Sequence, residues 1–495
     1  MTEFHPRAAE PSHERAHGTH GGALSRRRFV AAAGAGAAMA LAEAGAAGEE
    51  APMTKRPHIL MITCHDIGQH VGCYGVETVR SPNLDGLARR GVRFHNYYGG
   101  APTCSPSRGV MLTGRYPQSN GLMGLTHAPW WWSLNPGERH LAAILTDAGY
   151  HTVLAGLQHV TRADPHTLGY DEVLSKRCVA EETVAAARQV LARAKTSAKP
   201  VFLKVGFFEV HRRAGSYSHR EPDTTRGVFI PPYLKNTPAI RDDLARFQAD
   251  VHFLDACIGR ILEGLEAAGI ADRTLVIFTA EHGIAYPGAK WCLREPGLRI
   301  PYILHRPGTP MAGGKVYHDL MSHVDFLPTL LGLVGVPVPE NVQGMSFAPL
   351  VLGKTDKGPR RYVFGHRQPH ARRENVARSV RDERFKLIRC FENDRVVRYP
   401  TDAVPIDVSR HTARPQRKGA RPFAELFDLK DDPNELHNLS GDAKHADVLK
   451  RLNEALYAWM HQVNDPLLNG PIATPYYKAA MEDFRKFTPG GRAVS

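Results

Sequence analysis

Beyond residue 55 the chain alternates between short apolar runs and longer stretches with helical spacing. HILMIT at 58–63 is apolar on both alternating faces, the pattern of a strand buried on both sides. HTVLAGL at 151–157, PVFLKVGFF at 200–208 and RTLVIFTA at 273–280 read the same way, and VRFHNYY at 92–98 reads as a further strand. Between them lie helical segments. SPNLDGLARRG at 81–91 opens on Ser-Pro and stops on Gly, RHLAAILTDAGY at 139–150 stops on Gly, and EETVAAARQVLARA spans 181–194. RDDLARFQADVHFLDACIGRILEGLEAAG at 241–269 predicts one long amphipathic helix. The alternation predicts an α/β fold with helices on both faces of a sheet. Near residue 360 the texture changes. RYVFGH, ARSVRDERFKLIRCF and AELFDL read as short strands, and a helix near 444–462 closes the unit. This predicts a main domain over 55–360 and a smaller C-terminal α+β subdomain over 361–495.

The first 47 residues follow a different rule. SRRRFV at 25–30 precedes the small, apolar run AAAGAGAAMALAEAGAA at 31–47. A basic head, a short apolar run and small residues at its end predict a signal peptide over 1–47. The arginines before Phe29 resemble a twin-arginine signal, which predicts periplasmic or secreted localisation by the twin-arginine export machinery. Such export carries folded proteins. The run is short and broken by Glu43, so it predicts no membrane helix, and no later stretch predicts a stable membrane span.

Composition narrows the function classes. The 495 residues carry a formal net charge of +13, almost none of it from the first 47. A basic surface favours polyanions, but no nucleic-acid motif accompanies it, so no nucleic-acid partner is predicted. The basic run RPQRKGAR at 414–421 reads as a solvated loop. Seven cysteines show no CxxC spacing, which removes zinc-ribbon and thioredoxin readings, and their odd number leaves at least one outside any internal disulfide.

Polar residues cluster where the predicted strands end, the place where open α/β sheets bind ligands. HILMIT runs into His65 and Asp66, and LVIFTA into Glu281 and His282. VFLKVGFF runs into His211, and HTVLAGL into His159. Each cluster alone reads as a cap or a solvated residue. Four in one chain point to a site, and carboxylate–imidazole pairs suit a divalent metal. TCSPSRGVMLTGRYP at 103–117 predicts a helix from about Ser105 to Thr113, with Cys104 near its N-terminus and Arg108 one turn in. Helix-end N–H groups favour an anion there.

The stretch CSPSRGVMLTGR resembles the signature of the type I, formylglycine-dependent sulfatases, a branch of the alkaline-phosphatase-like superfamily. SPNLDGLARRGVRFHN, VIFTAEHG, HVDFLPTLLGLVGVP and ELFDLKDDPNELHNL look like segments of the same family. LTGRYPQSNGLMGL, FFEVHR and PPYLKNTPAIRDDLA are similar to its heparan N-sulfatase (sulfamidase) branch. The resemblance implies a large, mostly parallel mixed sheet flanked by helices. It implies that a formylglycine-generating maturation enzyme oxidises Cys104 to formylglycine, whose hydrated aldehyde attacks sulfur with metal assistance and later eliminates sulfate. It places metal ligands at His65, Asp66, residue 104, Glu281 and His282. It gives Arg108 the support of the formylglycine and Lys290 the binding of sulfate. His159 and His211 fall on the two active-site histidines, and a His or Lys protonates the leaving oxygen or nitrogen.

The chain departs from the family at instructive places. Most members have Asp-Asp at His65-Asp66 and Asp-Asn at Glu281-His282. The all-oxygen set suits Ca²⁺, whereas two imidazoles move the preference toward Mn²⁺ or another transition metal. A family lysine two residues before the first active-site histidine is here Leu157. The leading expectation is an exported sulfatase cleaving sulfate esters or N-sulfate groups of a sulfated carbohydrate such as a glycosaminoglycan. A phosphonate or phosphate ester hydrolase on the same scaffold is the alternative, on the strength of His282. A non-catalytic glycan-binding homologue is a third reading. HAPWWW at 127–132 offers a sugar-stacking surface, although three consecutive tryptophans cannot share one face and packing accounts for at least two.

Overall fold

In the computed structural model the described residues are 56–128, 130–212, 217–368, 376–391 and 422–485. The expected signal segment and the basic run at 414–421 lie outside them. The strands, in chain order, are β1 (His58–Cys64), β2 (Val92–Phe94), β3 (Tyr97–Tyr98), β4 (His151–Gly156), β5 (Glu172–Leu174), β6 (Val201–Gly206) and β7 (Thr274–Ala280). They continue with β8 (Tyr302–His305), β9 (Val316–Tyr317), β10 (Met321–Ser322), β11 (Val363–Arg367), β12 (Ala377–Arg381), β13 (Phe385–Cys390) and β14 (Ala424–Asp428).

Eight of them form one sheet in the order β5-β4-β6-β1-β7-β8-β2-β9. The strands from β5 to β7 are all parallel, and β8 runs antiparallel to both β7 and β2. The sheet is therefore large, mixed and mostly parallel. Both faces are covered, which is why β1 has no polar side. Leu60, Ile62 and Cys64 enter one apolar core and Ile59 and Met61 the other.

The helices that matter here are α1 (Pro82–Arg90), α2 (Cys104–Thr113), α3 (Ala180–Ala194), α4 (Pro238–Ala267), α5 (Phe326–Val334) and α6 (Ala446–Gln462). The 30-residue α4 has Pro238 in its first turn, and the Thr237 side chain caps it by accepting from the Ile240 N–H. It buries Ile240, Leu244, Phe247, Val251, Leu254, Ile258, Ile261 and Leu265 at helical spacing against one face of the sheet. Every residue of α2 is buried, and Gly114 ends it in the left-handed region at φ 64°.

VRFHNYY does not form one strand. β2 joins the large sheet, whereas β3 pairs with β10 in a separate two-stranded sheet. Asn96, in the break, donates to the His318 carbonyl and accepts from Arg299, so the chain crosses between sheets at 95–96. The C-terminal strands form an antiparallel sheet, β11-β12-β13-β14. One face packs Val380, Leu387 and Leu426 on Leu452, Leu456, Trp459 and Met460 of α6, joined by Val110 of α2. The other packs Ala377, Ile388 and Phe427 on Tyr98, Leu293 and Leu298. The small sheet is thus bonded to the helix that carries Cys104 and to the segment after β7. The described residues fall within one compact unit.

Candidate active site

The strand order puts β4, β6, β1 and β7 side by side and parallel, so their carboxyl ends lie along one edge. His159, His211, His65-Asp66 and Glu281-His282 follow those four strands in that spatial order. The fifth contributor is α2, which begins at Cys104 itself, one residue earlier than the sequence predicts, with Thr103 before it in extended conformation.

These segments converge. Donor atoms of His65, Asp66, Cys104, Glu281 and His282 all lie within 4.8 Å of one another, and all five residues are buried. His65 Nδ1 is 2.7 Å from Glu281 Oε1 and 2.9 Å from Asp66 Oδ1. His282 Nε2 is 3.3 Å from Asp66 Oδ1 and 3.5 Å from Cys104 Sγ. Its Nδ1 lies 2.9 Å from the Gly283 carbonyl, which fixes a proton there and aims Nε2 inward, as a metal-ligating imidazole requires. Asp66 adopts φ 51° and His159 φ 58°, a costly left-handed backbone for non-glycine residues that recurs at functional sites.

Two cations border the cluster. Arg108 is fully buried; its Nη2 donates to the Cys64 carbonyl and to Glu281 Oε2, each at 3.0 Å. Lys290 Nζ donates to Asp66 Oδ2 at 2.8 Å and stands 3.5 Å from His211 Nε2. His211 Nδ1 sits 3.0 Å from the Arg212 carbonyl. The His65 ring meets His211 edge-on at 4.6 Å between centroids and tilts toward His159 at 5.8 Å. All the sequence-predicted site residues are therefore gathered at one place.

Electrostatics follow from this crowding. Burial opposes a carboxylate at Asp66, but Lys290, His211, His65 and His282 outweigh it and hold the carboxyl well below its usual range. Burial likewise opposes ionisation of Glu281, and His65 and Arg108 overcome it. Burial would raise the Cys104 thiol, yet His65, Lys290 and hydrogen bonds from His159 and His282 pull it well below the ordinary thiol value. His159 itself is lowered, chiefly by burial.

Sequence reasoning missed several contributors. Ser107 Oγ donates to the Glu281 carbonyl at 2.7 Å and lies 2.9 Å from His323 Nδ1, tying α2 to β7. Gly283 has no room for a side chain, since a Cβ would meet the Pro296 carbonyl at 1.7 Å. The exposed His127 stacks on His159 with centroids 5.6 Å apart. Of the three tryptophans, Trp132 is buried, Trp130 half-buried, and Trp131 exposed under the Arg162 guanidinium at 3.6 Å. The signals were present in part. Ser107 lies inside the quoted CSPSR motif, and a glycine directly after a strand-end histidine marks a close approach.

A family model described as "Sulfatase" matches residues 57–336, more than half of the chain. The chain belongs to the sulfatase family. A second model, described as "N-sulphoglucosamine sulphohydrolase, C-terminal", matches residues 281–410 of this sulfatase. Among curated relatives, an ulvan-active sulfatase of Formosa agariphila is 27% identical over 86% of this chain and 84% of its own length. The human N-sulphoglucosamine sulphohydrolase is 28% identical over 83% of this chain and 91% of its own. Among solved structures, a 2-O GAG sulfatase superposes with a TM-score of 0.65 at 20% identity, covering 85% of this chain and 95% of that one. The phosphonate monoester hydrolase of Agrobacterium radiobacter gives 0.61 at 20%, covering 85% and 98%. The fold is shared with both of these solved structures. Sulfatases hydrolyse sulfate esters and N-sulfates, and this chain is accordingly a sulfuric ester hydrolase. Its buried His/Asp/Glu/Cys cluster is compatible with a divalent metal.

Proposed function

We propose that this sulfatase is exported and removes sulfate from an ester or N-sulfate group of a sulfated carbohydrate, with residue 104 converted to formylglycine. The observation that carries the reading is the meeting of Cys104 with four buried metal-type donors at the head of α2. The relatives named above support a sulfated-carbohydrate substrate.

The donor set fits a divalent cation. Asp66 and Glu281 bring carboxylates, His65 and His282 imidazoles, and residue 104 a fifth position. Two imidazoles among five donors favour Mn²⁺ or another transition metal over Ca²⁺. Bound there, the cation would supply Lewis-acid polarisation of sulfate oxygen. A hydrated formylglycine would supply the nucleophilic oxygen in place of the thiol.

The remaining work falls to the chain's own side chains. Arg108 neutralises Glu281 and braces the carbonyl of Cys64, which fixes the start of the His65-Asp66 turn. Lys290 stands between Asp66 and His211, where its ammonium can donate to a sulfate oxygen. The Arg212 carbonyl holds the Nδ1 proton of His211 and leaves Nε2 turned to Lys290, placed to carry a proton to the leaving oxygen or nitrogen. His159 lies beside residue 104, and burial lowers its pKa, which favours the neutral imidazole that can take a proton from the attacking group.

The test joins mass spectrometry to kinetics. Protein made together with a maturation enzyme should carry an aldehyde in the tryptic peptide containing residue 104. It should turn over an aryl sulfate or a sulfamate, and Cys104→Ala should lose at least about a thousandfold in kcat/KM. An active preparation with an unmodified thiol would refute the mechanism. A phosphonate ester preferred by orders of magnitude would install the second reading, which His282 favours. Tight glycan binding without turnover under any divalent metal would install a binding protein.

A further inference from the structure

β6 carries a residue that no step above uses. Lys204 lies in the middle of a central strand, flanked in register by Met61 of β1 and Leu154 of β4. It is fully buried. Among the described residues no carboxylate comes within ion-pair distance of its ammonium. A buried, unpaired charge is expensive, and an apolar residue would fit this layer better. Its retained contacts show where the charge is aimed. Nζ donates to the carbonyl of Leu157 at 3.1 Å and lies 3.4 Å from Thr63 Oγ1. The same hydroxyl takes Arg108 Nη1 at 3.4 Å.

Leu157 opens the turn that ends in His159. Its N–H donates to the Gly206 carbonyl at 2.8 Å, at a crossing so close that a Cβ on Gly206 would meet the Leu157 oxygen at 1.9 Å. Gly156, at φ 85°, precedes it and His159, at φ 58°, follows. The backbone amide of Leu157 is therefore pinned to β6 at both ends, by a main-chain carbonyl on one side and an ammonium on the other.

We propose that Lys204 is a positioning residue of the hydrolytic site, which holds the Leu157–His159 turn so that His159 faces residue 104, and which in its protonated form adds a second positive charge beside Arg108. The proposal rests on the hydrolase reading given above. It explains why a lysine is kept in an apolar layer, and it places a cation against residue 157, where the chain has only leucine. The groups facing the ammonium are Arg108 from α2, Glu281 after β7, Cys178 before α3 and His140 before the helix at 141–147. Burial, together with Arg108, lowers its pKa to about 7.

Lys204→Met and Lys204→Gln decide the matter, each compared with the wild type on the substrate class that the wild type turns over. The expected result is a kcat ten- to a hundredfold lower with KM changed less than threefold, since a small misplacement of a catalytic group costs about that much. Affinity for Mn²⁺ by calorimetry should stay within threefold, and Tm should hold or rise because an uncompensated charge is gone. In the wild type, kcat/KM should fall as pH rises through about 7, and the Met variant should lack that limb. A Met variant with wild-type kcat overturns the proposal, as does a kcat loss accompanied by lower Tm and weaker Mn²⁺ binding, the marks of a merely structural role. If the Met variant does not fold, the same outcomes are read from the Gln variant. A wild type without turnover refutes the hydrolase reading instead, with Tm and metal affinity still measurable.

Discussion

Glu295 is the most informative single substitution outside the cluster. Its carboxylate faces Arg381 Nη1 at 2.9 Å and Lys386 Nζ at 2.7 Å, and accepts from the Tyr98 hydroxyl at 2.8 Å. Both cations belong to the C-terminal sheet and are nearly buried. Each contact is worth roughly 6 kcal/mol of gross attraction at an effective dielectric constant of about 20, most of it offset by desolvation. Glu295→Gln keeps the shape but leaves two buried cations, with Glu435 the remaining carboxylate in ion-pair range of Lys386, at 3.4 Å, among the described residues. Removing one partner from such a network costs about 3–5 kcal/mol. The damage should reach the site, because Glu295 heads the short helix to Leu298. In that helix the Gly297 carbonyl accepts the Gly283 N–H at 3.0 Å, next to His282. Urea unfolding followed by tryptophan fluorescence should show the stability loss, and calorimetry should show weaker metal binding. Adding Lys386→Met should restore part of both, since it removes one stranded charge. A loss below about 1 kcal/mol with unchanged metal affinity would refute the reasoning.

Acid sensitivity and a backbone contact give two further tests. Burial pushes His140 and His323 down to about 3 and His70 to about 4. The unfolded chain takes these protons near pH 6.5, so the stability is present above 6.5 and drains as pH falls toward 3–4, by at most about 4 kcal/mol per pH unit for the three. A urea midpoint that stays flat between pH 7 and 5 would contradict this. Gly283→Ala drives a methyl into the Pro296 carbonyl and should cost at least tenfold in divalent-metal affinity as His282 is displaced; affinity within twofold would show that the loop gives way freely.

The parallel strands were legible because a strand buried on both faces leaves an uninterrupted apolar run, and the run stops abruptly at the ligand edge. That is how His65, Asp66, Glu281 and His282 could be marked from sequence. What pattern could not supply was lateral order. Only the sheet shows β4, β6, β1 and β7 as neighbours, and hence that His159 and His211 flank the same point. VRFHNYY misled because its apolar content continues through a change of sheet that hydrogen bonds of Asn96 dictate. Lys204 was visible in VFLKVGFF as a charge within a core strand, but period alone does not say what lies beyond its ammonium. Ser107 and His323 are 216 residues apart in sequence, and their contact is a product of packing.

The complete burial of α2 has a consequence for how the protein is made. Cys104 is 3% exposed, and the nine residues after it are buried as well. No second enzyme can thread that segment into its own cleft once the sheet has closed around it. Any alteration of the thiol by another protein belongs to the interval between synthesis and collapse, when 103–117 is still an extended tail. Folding and modification then compete in time. With residue 104 converted as proposed, the fraction of competent molecules in a culture would be set by that race, so slower folding at lower temperature should raise specific activity with no change in the sequence.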